Sequence, residues 1–235
     1  MSFELSNEQK LIEHEIQKFA SAELKPIAGE IDKEAAWPRD IIRKLADLGF
    51  LGICIPEESG GAGLDTVSLC IVLRELSRDC ASVGVAVAAH SCLVTYPILR
   101  YASSDLKTEQ LPGLAGGSIG AFSSVDLDDQ EKNLEVHESD GASFLSGTCR
   151  FVFNGEQASH FVVPLTHKGN LFHVIRRDNT ITTEPQYLLG LRAAGIVTAR
   201  FSNTVLGGHA LIDAADAAAA LRDVYAFADI GFCLL

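Results

Sequence analysis

Four acids fall within six residues at Asp126, Asp128, Asp129 and Glu131, directly after an apolar run containing Ile119, Ala121 and Phe122. A diphosphate is held by N–H groups, hydroxyls or cations, and residues 126–131 carry neither hydroxyl nor cation. Four carboxylates would repel such a ligand by roughly 1 kcal/mol per close pair, even in a water-like dielectric. The segment therefore reads either as a solvated turn or as a contact for a partner. The remaining reactive side chains are dispersed. The seven histidines show no HxxH or HxxxH spacing that would suggest a metal. The six cysteines (54, 70, 80, 92, 149 and 233) form no CxxC pair, so neither a zinc site nor a disulfide framework is expected, and most of them read as small core side chains in a reducing cytoplasm. Ser59-Gly60-Gly61 lacks the context of a nucleophile elbow. His90 reads as a polar helix residue rather than a base, and Arg192 as half of a structural ion pair.

These residues need elements to position them. With 235 residues, 47% of them apolar, the chain can bury a core as one large or two small domains. A net charge of −12 is shared evenly between residues 1–115 and 116–235, so no basic face for nucleic acid or anionic membrane is expected. No apolar run reaches 18 residues, and none is expected to cross a membrane. The acidic, polar start MSFELSNEQK does not read as a signal peptide.

Residues 1–115 read as helical. Ser6 and Gln9 form a capping box before Leu11, Ile12, Ile16 and Phe19. Pro26 breaks or bends that helix. Pro38 suits the first position of a second helix, with Ile41, Ile42 and Leu45 inward and Gly49 as its stop. Asp65 caps a third helix, Val83 to Leu99 forms a buried fourth, and Ser103 to Leu114 a short fifth. Gly116-Gly117 marks a boundary. Short apolar runs then alternate with turn residues (Ile119–Val125, Phe144–Leu145, Phe151–Phe153, Phe161–Leu165, Leu171–Ile175, Ile196–Phe201), which predicts antiparallel β structure over 116–212. Residues 213–235 turn helical again, with Leu221, Val224, Phe227 and Ile230 as the inward face. The expected fold class is α+β: an N-terminal helical bundle, an antiparallel β-barrel or sandwich, and a C-terminal helix.

Four segments in this order resemble the acyl-CoA dehydrogenase family. They are LADLGFLGICIPEESGGAGL (45–64), ILRYASSDLKTEQLPGLAGGSIGAF (98–122), FLSGTCRFVFNG (144–155) and LGLRAAGIVTARFSNTVL (189–206). The resemblance implies a helical domain, a middle β domain and the first helix of a C-terminal helical domain that is otherwise missing. It also implies FAD as cofactor and an acyl-CoA thioester as substrate. In the family, a glutamate usually carried by the C-terminal domain removes an α-proton while the flavin accepts a β-hydride; no residue of this chain takes that role. The resemblance places Phe122, Val125, Phe151 and Phe153 at flavin-contacting positions. Val125 and Phe153 stand where the family has threonines, Phe151 where it has tryptophan, and Asn154 and Gly155 are retained. It places Val85, Ala88 and Ala89 on the helix that floors the acyl pocket, where close helix packing explains the small residues equally well.

Three readings remain open: a dehydrogenase completed by another chain that supplies the helical domain, a non-catalytic partner subunit or acyl-thioester-binding module, and a remnant without activity. A homo- or hetero-oligomer is expected, because the β-domain face that would pack on further helices is apolar. The family's usual electron acceptor is electron-transferring flavoprotein.

Overall fold

The computed structural model describes residues 4–123, 134–165, 167–168, 170–206, 210–213 and 217–234. Helix α1 (Asn7–Phe19) starts at the Ser6 capping box, in which Gln9 N–H donates to Ser6 Oγ at 3.1 Å and Ser6 N–H to Gln9 Oε1 at 3.0 Å. A π turn (Ala20–Leu24) extends it before α2 (Ala28–Glu34), so the chain bends around Pro26. Pro38 is the N-cap of α3 (Arg39–Asp47), one position earlier than expected, and Gly49 ends that helix with φ +81°. Asp65 caps α4 (Thr66–Asp79) by accepting from Ser68 N–H at 2.8 Å; its other oxygen accepts from Gln9 at 3.0 Å, tying the starts of α1 and α4 together.

The central helix runs from Ala81 to Tyr101 as α5 (Ala81–Ala88), a π turn (Ala89–Thr95) and α6 (Tyr96–Tyr101). It is long and apolar enough for a membrane span, but 89% of its most apolar window is buried inside the protein, as befits a core helix. Helix α7 (Ser104–Ala115) follows.

Among the described residues eight strands form one open sheet: β1 (Gly120–Ser123), β2 (Leu134–Ser139), β3 (Ala142–Phe153), β4 (His160–Val163), β5 (Asn170–Arg176), β6 (Ile181–Pro185), β7 (Val197–Val205) and β8 (Ala210–Asp213). The order is β6-β7-β3-β1-β4-β5-β8, with β2 pairing β3. All pairings are antiparallel except β1 with β4, so the sheet is mixed and not closed into a barrel. Helix α8 (Ala217–Phe232) returns to the helical side. The described residues form two cores. One joins the helices to Phe122, Val162, Phe172 and Val174 of the sheet and to Leu221, Val224 and Ala228 of α8. The other lies on the opposite side of the strands, around Leu145, Phe161, Ile175 and Phe201.

One packing expectation changes. Ile230 is half exposed, and the inward face of α8 passes instead through Leu221, Val224 and Ala228. Of the cysteines, Cys80, Cys92 and Cys149 are buried, Cys54 and Cys70 are half-buried, and Cys233 is exposed.

Candidate functional site

Of the residues singled out by the sequence, Phe122, Phe153, Ala88 and Ala89 gather where the central helix, the sheet and α8 meet. Phe122 and Phe153 are directly opposite on β1 and β3, so their side chains share the face turned to the helices. Phe122 is buried, with its ring edge-on to Tyr225 of α8 (centroids 6.3 Å apart, 88°) and tilted against Phe172 at 6.3 Å. Phe153 is half-buried and lies 5.5 Å from Phe232 of α8. Rings at these separations contribute about 0.5–1.5 kcal/mol beyond simple burial.

Phe151 is separated from this group. A register shift between Cys149 and Val152 places it at φ +55°, where a bulge re-aims the side chain. It is 45% exposed, with the Arg150 guanidinium 5.1 Å from its ring centre. Val125, together with Asp126, Asp128, Asp129 and Glu131, lies outside the described residues.

Val85, Ala88 and Ala89 are at most 2% exposed. Helix α8 roofs this stretch at Gly231, where a Cβ would stand 2.8 Å from Cys92 Sγ, 3.3 Å from Leu73 and 3.9 Å from the Ala88 methyl. The helix is held in place by a polar latch. Asp223 accepts hydrogen bonds from Tyr101 Oη at 2.6 Å and Tyr96 Oη at 2.9 Å, and the Tyr96 ring stacks on Phe227 at 4.0 Å. The tyrosine hydroxyls, Tyr101 first, hold the Asp223 carboxyl below its ordinary range. Desolvation, then the bond to Asp223, pushes Tyr101 up to about 12.

Asn154 carries a role that motif reading did not assign. It is fully buried at φ +59°, and its Nδ2 donates to Ala86 O at 2.9 Å and Gly120 O at 3.4 Å. One amide thus ties the central helix, β1 and the end of β3 together. The signal was present as the Asn154-Gly155 pair, since asparagine tolerates the left-handed turn that ends a strand. His90 is enclosed on the π turn, and burial lowers its pKa to about 4 against the opposing pull of the Leu114 and Leu51 backbone. It stays neutral near pH 7. Arg192 departs from expectation: it is exposed and makes no ion pair with any described residue. Cys149 is pushed up to about 12 by burial, with the Ser123 hydroxyl opposing. Among the described residues no cluster of three or more His, Cys, Asp or Glu is placed to hold a metal. The junction is thus built of rings and methyl groups; Asp223 and Asn154 are committed to holding it together.

Comparison with known proteins matches residues 6–118 to the family model described as "Acyl-CoA dehydrogenase, N-terminal domain". The mitochondrial short-chain specific acyl-CoA dehydrogenase of Rattus norvegicus is 35% identical over 167 residues. That match takes in 69% of this chain and 40% of the rat enzyme, so the chain spans well under two thirds of its curated relative. Among solved structures, butyryl-CoA dehydrogenase from Megasphaera elsdenii has a TM-score of 0.90 at 22% identity, over 100% of this chain and 66% of that one. A glutaryl-CoA dehydrogenase from Mycobacterium smegmatis, solved in complex with FADH2, has a TM-score of 0.86 at 23% identity, over 98% of this chain and 61% of that one. The helical half by sequence and the helical-plus-β arrangement by fold agree, and the chain belongs to the acyl-CoA dehydrogenase family.

Proposed function

We propose that this chain is an acyl-CoA dehydrogenase-like scaffold that does not carry out the family reaction, FAD-dependent α,β-dehydrogenation of an acyl-CoA thioester, by itself. The observation that carries this reading is the pairing of Phe153 with Phe232. The family resemblance calls for a hydroxyl at position 153 to face a flavin. A phenyl ring offers no hydrogen bond, and this one is engaged with α8. Phe122 is likewise enclosed by Tyr225 and Phe172. FAD is the cofactor to test, since a fold neighbour is solved with its reduced form. The described residues do not fit it in the family's manner, and no catalytic step is derived through it. Phe151, exposed beneath Arg150, is the one family flavin position that keeps a free ring face.

A second reading, a non-catalytic partner subunit in a hetero-oligomer, is favoured by the contrast between the two halves of the chain. The helical half matches the family throughout its N-terminal domain, whereas positions 125 and 153 have lost their hydroxyls. The covered state of Val85, Ala88 and Ala89 argues against acyl-thioester binding as the primary role. That none of the six cysteines forms a disulfide supports a reducing, cytoplasmic setting.

The test is reduction of an artificial electron acceptor by the purified chain with added FAD and a short-chain acyl-CoA. The reading predicts no turnover above a control lacking the acyl-CoA. Substrate-dependent, saturable turnover would overturn it.

A further inference from the structure

Strands β1 and β4 run parallel, so the residues that lead into them meet at one end of the sheet. There Ser118 Oγ lies 2.7 Å from Ser159 Oγ, and Ser159 Oγ lies 3.1 Å from His160 Nδ1. The partners fix the order of the protons. Ser159 has one hydroxyl proton, and the ring nitrogen at 3.1 Å is a nearer acceptor than Ile119 O at 3.3 Å. With that proton directed at Nδ1, Ser118 is left to donate to Ser159. The result is a relay from hydroxyl to hydroxyl to imidazole, with the neutral ring carrying its own hydrogen on Nε2.

The surroundings suit a base and an open nucleophile. His160 is half-buried, and desolvation, helped by Arg176, holds its pKa below the ordinary value against the pull of Glu109 on α7. Its imidazole is therefore mostly neutral at pH 7. Arg176 is the direct cross-strand neighbour of His160 on β5, so the two side chains share a face. It is exposed and forms no ion pair with any described residue. Ser118 is itself only half-buried, and Gly116 and Gly117 beside it carry no side chain to cover its hydroxyl.

We propose that Ser118 is the nucleophile of an ester-hydrolysing site, with Ser159 passing its proton to His160 and Arg176 facing the oxyanion. The walls are hydroxyls, imidazole, guanidinium and glycine, which suit a short acyl ester or thioester rather than a long apolar chain. Ser118 Oγ attacks the carbonyl carbon while its proton moves through Ser159 to His160 Nδ1. The bond from the carbonyl carbon to the leaving oxygen or sulfur breaks, and the leaving group takes the proton from His160. Water then attacks the acyl-serine, gives a proton to the same relay and releases the carboxylic acid; Ser118 regains its proton. No electron changes hands and no flavin takes part, so this site is tested separately from the junction at Phe153.

The experiment uses the full chain, with p-nitrophenyl acetate as the ester and a fluorophosphonate to trap the nucleophile; melting temperature is the control for folding. The wild type is expected to turn the ester over many times with saturation, and the trapped adduct to map to Ser118. Ser118→Ala should fall to the rate of buffer alone. Ser159→Ala and His160→Gln should each lower kcat at least about 100-fold with little change in KM. Arg176→Gln should lower kcat by about 100-fold, the scale of one lost oxyanion donor. The wild-type kcat/KM should fall about tenfold per pH unit once His160, with Arg176 and Glu109 facing it, takes up a proton below pH 6.5. A wild type no faster than Ser118→Ala would overturn the proposal. So would an adduct on any other residue, or a rate that His160→Gln leaves unchanged. Should a variant fold poorly, the adduct on the wild type, which needs no substitution, decides.

Discussion

Gly231→Ala is the sharpest probe of how α8 closes on the central helix. Two effects oppose each other. Replacing glycine within a helix stabilises it by up to about 1 kcal/mol, and less at this position because Phe232 is the last helical residue. Against that, the new methyl would stand 2.8 Å from Cys92 Sγ and 3.3 Å from Leu73. Cys92 is 1% exposed, on a π turn packed from every side, so the sulfur has little room to yield. Overpacking of this kind costs about 1–3 kcal/mol. Packing therefore wins, and the expected net loss is about 1–2 kcal/mol. In a domain of this size that lowers Tm by about 2–4 °C per kcal/mol. The assay is a double-mutant cycle by urea unfolding with Cys92→Ala. Removing the sulfur opens the space the methyl needs, so Gly231→Ala should become neutral or stabilising in that background, a coupling of about 1–2 kcal/mol. Stabilisation by Gly231→Ala in the wild type, or an equal cost in both backgrounds, would refute the contact.

Three further outcomes are expected. Gly61→Ala should cost at least about 3 kcal/mol, because its Cβ would run into Ile55 O and sit 2.6 Å from Gly52 O, and backbone cannot swing aside as a side chain can; a soluble variant with wild-type urea midpoint would contradict this. Burial holds His90 and His173 at about 4 in the native state, below the unfolded value near 6.5, so the unfolded chain binds more protons and stability falls as pH drops through 6.5 towards 4. The loss at pH 5 is roughly 2 kcal/mol apiece, measured by urea unfolding at pH 7 and pH 5, and a flat profile between those points would contradict it. Asp223→Ala should cost about 1 kcal/mol, since the two tyrosines it releases are only half-buried and can turn to water; hydrogen exchange should quicken along α8 more than along α4, and uniform exchange would argue against a local latch.

Much of the helical half was legible because its signals are local. Ser6 with Gln9, Asp65 and Gly49 each act within four residues, and each acts in the structure as the spacing predicts. The sheet was less so. Two apolar fragments, Phe144–Leu145 and Phe151–Phe153, proved to be one strand, β3, whose polar middle faces outward and whose bulge interrupts alternation. Strands β2 and β6 were not expected: LEVHES and ITTEP bury few side chains and carry no run of apolar residues to betray them. The parallel pairing of β1 with β4 depends on a long-range crossover that no local pattern encodes. At the candidate site, residue identities were legible and their neighbours were not. That Phe153 lacks a hydroxyl is plain in the sequence; that its ring meets Phe232, some eighty residues on, emerges only when α8 folds back. Ile230 was assigned inward by helical spacing alone, whereas the shape of the groove beneath α8 places Gly231 there.

The visible absorption spectrum of the purified chain, before and after adding FAD and removing the excess, tests the central claim most directly. With Phe153 engaged by Phe232 and no hydroxyl at positions 125 and 153, the chain is expected to be colourless, to retain no flavin and to show no FAD-dependent rise in Tm. Flavin bands at near-stoichiometric occupancy would contradict the account and return the chain to the flavin-binding members of its family.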